Sequence, residues 1–543
     1  MPGAHDTHGG ERSISAQRHF SLISKTVLRL IADVRQWNHY CVGHPYIRLA
    51  LNFTVLFAIF WGIGISRLDP DFGWHLQTGR YIWAHGIPAH DIFTYTAHSF
   101  AWIDHEWGND VILSVFYSIG GYQLVSALYA ALWALAVLVG GGRRCRILVL
   151  LPAALAITEY AGNRPLAWSA CLLAAVLSTL RNGYRGRRWY LYLPLLFAVW
   201  ANLHAGFVAG LAVIGYYALL RRRRLIFLLL LLSISATLIN PYGPRLYEEI
   251  YRTLNDPALH HQIAEWAYFY IPETAWLFVI LWLAGLWIYR PRVGHQTISD
   301  PHSINGKRVF RWVIQVGAQL TQTGKTVAVT ASLLLRRQAP PASVRIWLQY
   351  WLRISVLLFL STLSATRNLP FFVVGSVREF DDSVSRALGA IPKNLDRRQR
   401  FVAAGLLGLF SVGLLVSGAL AYAPWGTSRL AEYPIGAVVY LRHHACSGNL
   451  FNDYNYGGYL IWQLPNEPVY IDGRMPTWRQ YMDQYEATVK RPTTQYARQF
   501  HRYNIRCALL RDGADNRLKD ILRRAGWEPV VQGNGATLLL KPT

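Results

Sequence analysis

The 543-residue sequence predicts a mainly α, polytopic transmembrane helical bundle with a small C-terminal α/β domain. Three observations lead there. Hydrophobic residues make up 52% of the chain and charged ones only 15%, well under the roughly 25% of an ordinary soluble domain. Long apolar runs alternate with short arginine clusters, giving a formal charge of +24. Beyond residue 424 the composition turns to that of a soluble domain. Together these exclude a soluble globular enzyme and a disordered chain. They also argue against a nucleic-acid partner, because the basic residues lie between hydrophobic segments instead of forming one block.

A bilayer core of about 30 Å calls for roughly 20 mainly apolar helical residues. On that rule about 11 spans are expected, near 47–66, 122–141, 147–162, 165–180, 189–205, 207–220, 225–239, 274–290, 346–364, 368–378 and 401–423. Residues 1–19 are polar and lack the apolar core of a signal peptide, so insertion is expected to rely on the first span. In segment 1–46, Phe20, Ile23, Val27, Leu30, Ile31 and Val34 recur at helical spacing among basic residues, as in an interfacial amphipathic helix. Arg143, Arg144 and Arg146 follow the second span, Arg181 and Arg185 the fourth, Arg221 to Arg224 the sixth, Arg290 the eighth and Arg378 the tenth. All fall on one side, which the positive-inside rule makes cytoplasmic. The first outer loop, 66–121, agrees, with Arg67 and Arg80 against six acidic residues. The expected location is therefore the inner (cytoplasmic) membrane, multi-pass, with the N-terminus cytoplasmic and 424–543 extracytoplasmic. The cytoplasmic insert 293–345 contains Gly324-Lys325-Thr326, but Gln319 stands where a phosphate-binding loop needs glycine, so it reads as a polar surface insert.

In the outer domain, Asn449–Asn452, Pro468–Asp472 and Arg506–Arg511 read as strands, and Gly457–Leu464, Thr493–Tyr503 and Arg517–Ala525 as helices. A hairpin of Glu528–Val531 and Ala536–Lys541 closes the chain across Gly533-Asn534-Gly535. The alternation favours a partly parallel sheet. Asp472 and Arg474 flank a glycine at a strand's C-terminal end, where open α/β sheets hold ligands; a turn with a surface ion pair is the alternative. Cys446 and Cys507 share this domain and can pair in an oxidising compartment; both states stay open.

The densest polar cluster is the first outer loop, with Asp69-Pro70-Asp71-Phe72-Gly73-Trp74-His75 and Trp102-Ile103-Asp104-His105-Glu106-Trp107. Carboxyl and imidazole groups interleaved with aromatics at a membrane surface are partly desolvated, which raises a carboxylate's proton affinity and suits a general base. The alternative is simple compliance with the outside-charge bias. Basic residues are scarce on this side, so Arg164 (after the third span), Arg367 (after the ninth) and His204 (ending the fifth) stand out. Each needs a partner so close to hydrocarbon. An anionic lipid phosphate and the acidic loop itself are the two options, with helix capping a third for His204.

With these residues the chain resembles the GT-C class of integral-membrane glycosyltransferases, most closely the bacterial protein O-mannosyltransferase and aminoarabinose transferase-like branch. The resemblance spans roughly 47–423. It rests on the acidic pair after the first span, the long first outer loop and the soluble domain after the last span. It implies an inverting transfer of a sugar from a polyprenyl-phosphate donor to a lipid, glycan or protein acceptor on the outer face. In that reading Asp71 is the base, with Asp69 as the alternative, because a proline separates residues that are adjacent in many members of the branch. Arg164 and Arg367 stabilise the leaving phosphate, His204 assists, and His75, Asp104, His105 and Glu106 orient the acceptor or the base. No cofactor is certain; a divalent metal, Mg2+ or Mn2+, is compatible with two or three carboxylates. A lipid-linked substrate transporter and a non-catalytic assembly or glycan-binding protein remain as alternatives.

Overall fold

The computed structural model of the chain describes residues 45–182, 191–288, 352–390, 432–474, 478–492 and 494–542. The amphipathic segment before residue 45, the insert 293–345 and the span 401–423 lie outside the described residues.

Helix α1 (Pro45–Ser66) is 22 residues long and is followed by the short α2 (Phe72–His85). The 35 residues of α3 (Trp107–Gly141) form two arms, because Gly120 and Gly121 leave helical geometry. Gly121 takes φ +62°, a conformation open to glycine and costly for other residues. The arm beyond this break matches the expected second span. Then come α4 (Ile147–Ala156), α5 (Leu166–Asn182), α6 (Leu193–Trp200), α7 (Phe207–Arg221), α8 (Arg224–Thr237), α9 (Arg245–Leu254), α10 (Trp276–Ile288), α11 (Ile354–Ser364) and α12 (Leu369–Ala390). Among the described residues, α1 and α3 are the two helices long and apolar enough to cross a membrane by themselves; several others are apolar but shorter.

One expectation needs correction. The tenth span does not stop near residue 378, because α12 continues to Ala390 and carries Arg378 and Arg386 within it. The extension is held by Asp381, which accepts from the Arg146 backbone N–H at 3.1 Å and pairs with its guanidinium at 3.2 Å. Arg48 donates to the Arg143 carbonyl and Arg221 to that of Leu180. The basic clusters therefore meet at one end of the bundle, a helix length away from the residues that follow α1.

The bundle core is large and aromatic. Phe60 lies against Trp133, while Phe372 of α12 takes Phe278 and Trp282 of α10 edge-on. Outward faces are apolar as well: Leu51, Val55 and Ile65 of α1, Leu228, Leu231 and Leu232 of α8, and Ile280 and Trp287 of α10 are exposed. An exposed apolar surface of this extent needs a covering phase.

The C-terminal domain comprises α13 (Ile435–His443), β1 (Asn449–Asn452), α14 (Gly457–Gln463), α15 (Arg479–Lys490), α16 (Thr494–Arg502), β2 (Ile505–Arg511), α17 (Asn516–Arg524), β3 (Glu528–Gly533) and β4 (Ala536–Leu540). Its sheet runs β1-β2-β4-β3, with β1 parallel to β2 and the rest antiparallel, as expected from the alternation. Cys507 on β2 is disulfide-bonded to Cys446 before β1, across 61 residues. Closing a loop of that length stabilises by about 4 kcal/mol in the chain-entropy picture.

The expected strand at Pro468–Asp472 is not part of this sheet. Its backbone groups are used elsewhere: the Val469 N–H donates to the Phe93 carbonyl at 2.9 Å and its carbonyl accepts from Tyr95. Asn452 Oδ1 takes the Tyr470 N–H. Trp74, Ala97 and Trp102 of the first outer loop accordingly belong to the core of the C-terminal domain. Arg474 locks the contact. Its guanidinium forks onto Asp472 at 2.9 and 2.6 Å, reaches Asp91 at 2.7 Å, and lies over the rings of Phe93, Trp102 and Trp478. Removing one partner of a buried ion pair typically costs about 3–5 kcal/mol. Arg474→Ala is expected to lower the midpoint of thermal unfolding by a corresponding amount. Arg474→Lys should recover only part of the loss, because an ammonium cannot make the fork.

Candidate active site

The acidic turn is built by its own backbone. Asp69 Oδ1 accepts the Asp71 N–H at 2.9 Å, and the carbonyls of Asp69 and Asp71 accept from Phe72 and His75, which opens α2. Asp71 occupies the N-cap position, yet its side chain makes no capping hydrogen bond. Its Oδ1 instead accepts the indole N–H of Trp74 at 2.9 Å. Asp69 Oδ2 accepts from Nε of Arg164. The two carboxylates thus have different fates: Asp69 is tied to a cation, and Asp71 is held by a neutral donor.

The C-terminal domain closes over this turn through glycines. A Cβ at Gly473 would fall 1.8 Å from Asp71 Oδ1, and one at Gly458 would fall 1.9 Å from the Pro70 carbonyl oxygen. Tyr433 donates to the Leu68 carbonyl, and Tyr454 reaches the Gly473 carbonyl at 3.5 Å. Burial, reinforced by the nearby Asp69 charge, pushes the Asp71 carboxyl up to about 6, against the opposing pull of His75, Trp74 and Arg164. A base half-ionised near pH 6 can both exist unprotonated at neutral pH and accept a proton with useful driving force.

Arg164, in the turn between α4 and α5, bonds Asp69 through Nε and Glu265 through Nη1. The Asp69 side chain is 8% exposed and that of Glu265 34%. Arg367 lies in the Thr366–Asn368 turn, which is fastened to the Arg164 side by a 2.5 Å hydrogen bond between Tyr160 and Thr366. Its guanidinium lies 4.7 Å above the Trp266 ring, and no carboxylate among the described residues pairs with it within ion-pair distance. Burial, with Arg164 adding like charge, holds its proton affinity below the ordinary arginine range. Of the two arginines, Arg367 is the guanidinium left open to an anion.

A second cluster surrounds Glu106. His105 and His204 present Nε2 at 3.4 Å and His75 at 3.6 Å, while His75 Nδ1 contacts Asp110 Oδ1 at 2.6 Å. The His204 tautomer follows from its other nitrogen. Nδ1 accepts the Gly206 N–H at 3.0 Å and faces the Ser169 hydroxyl at 2.6 Å; that oxygen is itself an acceptor for Trp200. Ser169 therefore donates to Nδ1, and the proton of a neutral His204 resides on Nε2, toward Glu106. Asp104 Oδ1 accepts the Glu106 N–H, and its Oδ2 is buried without a hydrogen bond. Burial, then Asp110, keeps the Asp104 carboxyl well above the usual range. Burial disfavours the His75 and His105 imidazoliums, but the carboxylates around them prevail and hold each at about 9. Glu106 is correspondingly held low despite burial, chiefly by His105.

The structure thus brings Asp69, Asp71 and Arg164 together, with Arg367 in the adjoining turn, and gathers His75, His105, Glu106 and His204 into the neighbouring cluster. Asp472 and Arg474 are occupied with each other and with Asp91. Sequence reading missed Glu265, Trp266 and Tyr454, and gave Asp110 and Gly473 no role at this site. Glu265-Trp266 carried a usable signal, an acidic residue beside an aromatic run on the outer side, as in Glu106-Trp107. Among the described residues, no group of three or more His, Cys, Asp or Glu side chains is arranged to hold a metal ion.

No family model and no curated protein matches the chain. Among solved structures it is similar to ArnT from Cupriavidus metallidurans bound to undecaprenyl phosphate, with 13% identity, a TM-score of 0.46 and coverage of 91% of this chain and 99% of that one. It is similar to the same protein in the apo state at 12% identity and a TM-score of 0.41, with the same coverage.

The imidazoles carry a sign for stability. Their proton affinities are raised on folding, so their contribution is complete below pH 6.5 and is lost as the pH rises through about 9. The thermal midpoint is expected to fall between pH 7 and 9.5, and Glu106→Gln should flatten that decline; equal slopes in the two proteins would contradict the ion-pair assignment.

Proposed function

We propose that the protein is a membrane glycosyltransferase that moves a sugar from a polyprenyl-phosphate donor to an acceptor hydroxyl at the outer face of the inner membrane. The observation that supports it most is the division of labour at one rim of the bundle: among the described residues Asp71 forms no ion pair and accepts an indole N–H, while Arg367 pairs with no carboxylate and rests on the Trp266 ring. The opposite, arginine-rich end of the bundle suits the cytoplasmic leaflet, and the exposed apolar helix faces suit lipid.

In this scheme Asp71 takes the proton of the acceptor hydroxyl as its oxygen attacks the anomeric carbon from the face opposite the phosphate. The carbon–oxygen bond to the lipid phosphate breaks, its electron pair stays on the phosphate, and the configuration at carbon inverts. Arg367 meets the charge that develops on the leaving group, in a setting where water is scarce and the interaction counts for more. Asp69 keeps Arg164 in place. The Glu106 cluster orients α2 through His75 and so the carboxylate at its N-terminus.

Reconstitution with a radiolabelled polyprenyl-phosphate sugar and envelope extract tests this reading. Asp71→Asn is expected to lower kcat by roughly 10^3-fold, within the span for loss of a general base. Arg367→Ala should lower it by about 10^2-fold, as for loss of one charge-stabilising donor. The wild-type rate should rise with unit slope up to a pH of about 6, where Asp71 becomes ionised. Transfer that survives both substitutions contradicts the proposal.

A further inference from the structure

Glu265 lies outside the machinery just described, yet it bonds directly to it. It sits in a single turn, Ala264–Trp266, in the outer segment between α9 and α10. That turn touches both arginines: Glu265 accepts from Nη1 of Arg164, and the next residue, Trp266, lies beneath Arg367. The two carboxylates on Arg164 differ in kind. Asp69 is buried and belongs to the turn that carries the base, whereas a third of the Glu265 side chain is open to solvent. Charge counting gives the consequence. One guanidinium with two carboxylates bears a net charge of −1 and repels an arriving anion. With Glu265 withdrawn, the Asp69–Arg164 pair is neutral and Nη1 faces outward, free to donate. Carboxylate and phosphate oxygens make equivalent partners for that donor, so one can stand in for the other.

We propose that Glu265 is a displaceable stand-in for phosphate: it occupies Arg164 while the site is empty, and a phosphate group of the incoming donor takes its place. Because Glu265 and Trp266 share one turn, the exchange also shifts the ring under Arg367, so both arginines turn to the ligand in a single event. The flanking residues suit a segment that moves at a lipid surface. Phe269 is 79% exposed, and its backbone is left-handed at φ +54°, a conformation costly for a residue with a bulky side chain. Tyr268 and Tyr270 beside it are also exposed, at 50% and 47%. This inference rests on the phosphate-site reading above and adds a residue that tunes how tightly the site holds its ligand.

The test is binding of undecaprenyl phosphate to the full-length protein in nanodiscs, followed by tryptophan emission, with inorganic phosphate as a second probe. Glu265→Gln keeps the shape and removes the charge, and is expected to tighten undecaprenyl phosphate about tenfold, while Glu265→Asp stays near wild type. In the transfer assay Glu265→Gln should lower KM for the donor and lower kcat with it, because the product phosphate then leaves slowly. Tightening for both probes places the competition at the phosphate and supports displacement; tightening for the lipid alone places it at lipid entry and overturns the stand-in role. Equal or weaker binding by Glu265→Gln, with saturable wild-type binding, overturns this inference and leaves the transferase reading standing. Absence of saturable binding by either protein overturns both.

Discussion

Buried charge must be neutralised, and the Asp69–Arg164 pair is where this chain meets that constraint. The pair holds the turn after α1 against the turn between α4 and α5, so the rim is closed before any ligand arrives. It also decides the chemistry around it. Arg164 is drawn to Asp69, Asp71 two residues away accepts from an indole N–H, and burial together with the Asp69 charge raises its proton affinity. The same pairing leaves Arg367 stacked on Trp266, with no carboxylate partner among the described residues. Two acids separated by a proline thus acquire opposite roles from a single contact.

The C-terminal domain extends this arrangement and does not merely follow it in sequence. Gly73 and Gly458 let two backbones approach where any side chain would collide, and Gly473 leaves room for the Asp71 carboxylate. Phe72 carries the contact further by meeting Trp462 of α14 edge-on at 5.3 Å. On the far side, Arg474 binds the domain to Asp91 and to the Trp102 ring. The carboxylate of Asp71 therefore lies under a roof fastened at both ends, which accounts for its desolvation.

Much of the site was legible in the sequence because charged residues stand out against an apolar background. Asp69, Asp71, Arg164 and Arg367 were each conspicuous at a span boundary, and the hairpin and the parallel strand pair followed from turn residues and alternation. Other features depend on contacts between distant segments and leave no local mark. Nothing in Asp-Pro-Asp says which acid Arg164 will choose. Gly473 read as part of a strand-end motif, whereas its value lies in letting Asp71 approach. The Val-Tyr-Ile run at 469–471 has strand propensity, but its hydrogen bonds go to the distant first outer loop and to the Asn452 side chain. Ser376, Arg378 and Asp381 interrupt the apolar run of α12 and so hid its true length, which depends on Arg146 satisfying Asp381. The helices α13 and α15 carry mixed polar patterns and were not expected at all.

The central claim is that a lipid phosphate sits between Asp71 and Arg367. A structure of the protein in nanodiscs with undecaprenyl phosphate bound tests it most directly. The account places the phosphate oxygens within hydrogen-bonding reach of the Arg367 guanidinium, with a non-ester oxygen turned toward the Asp71 carboxylate across the space for sugar and acceptor. A headgroup bound elsewhere, with Arg367 still resting on Trp266 and no phosphate near it, would contradict the account.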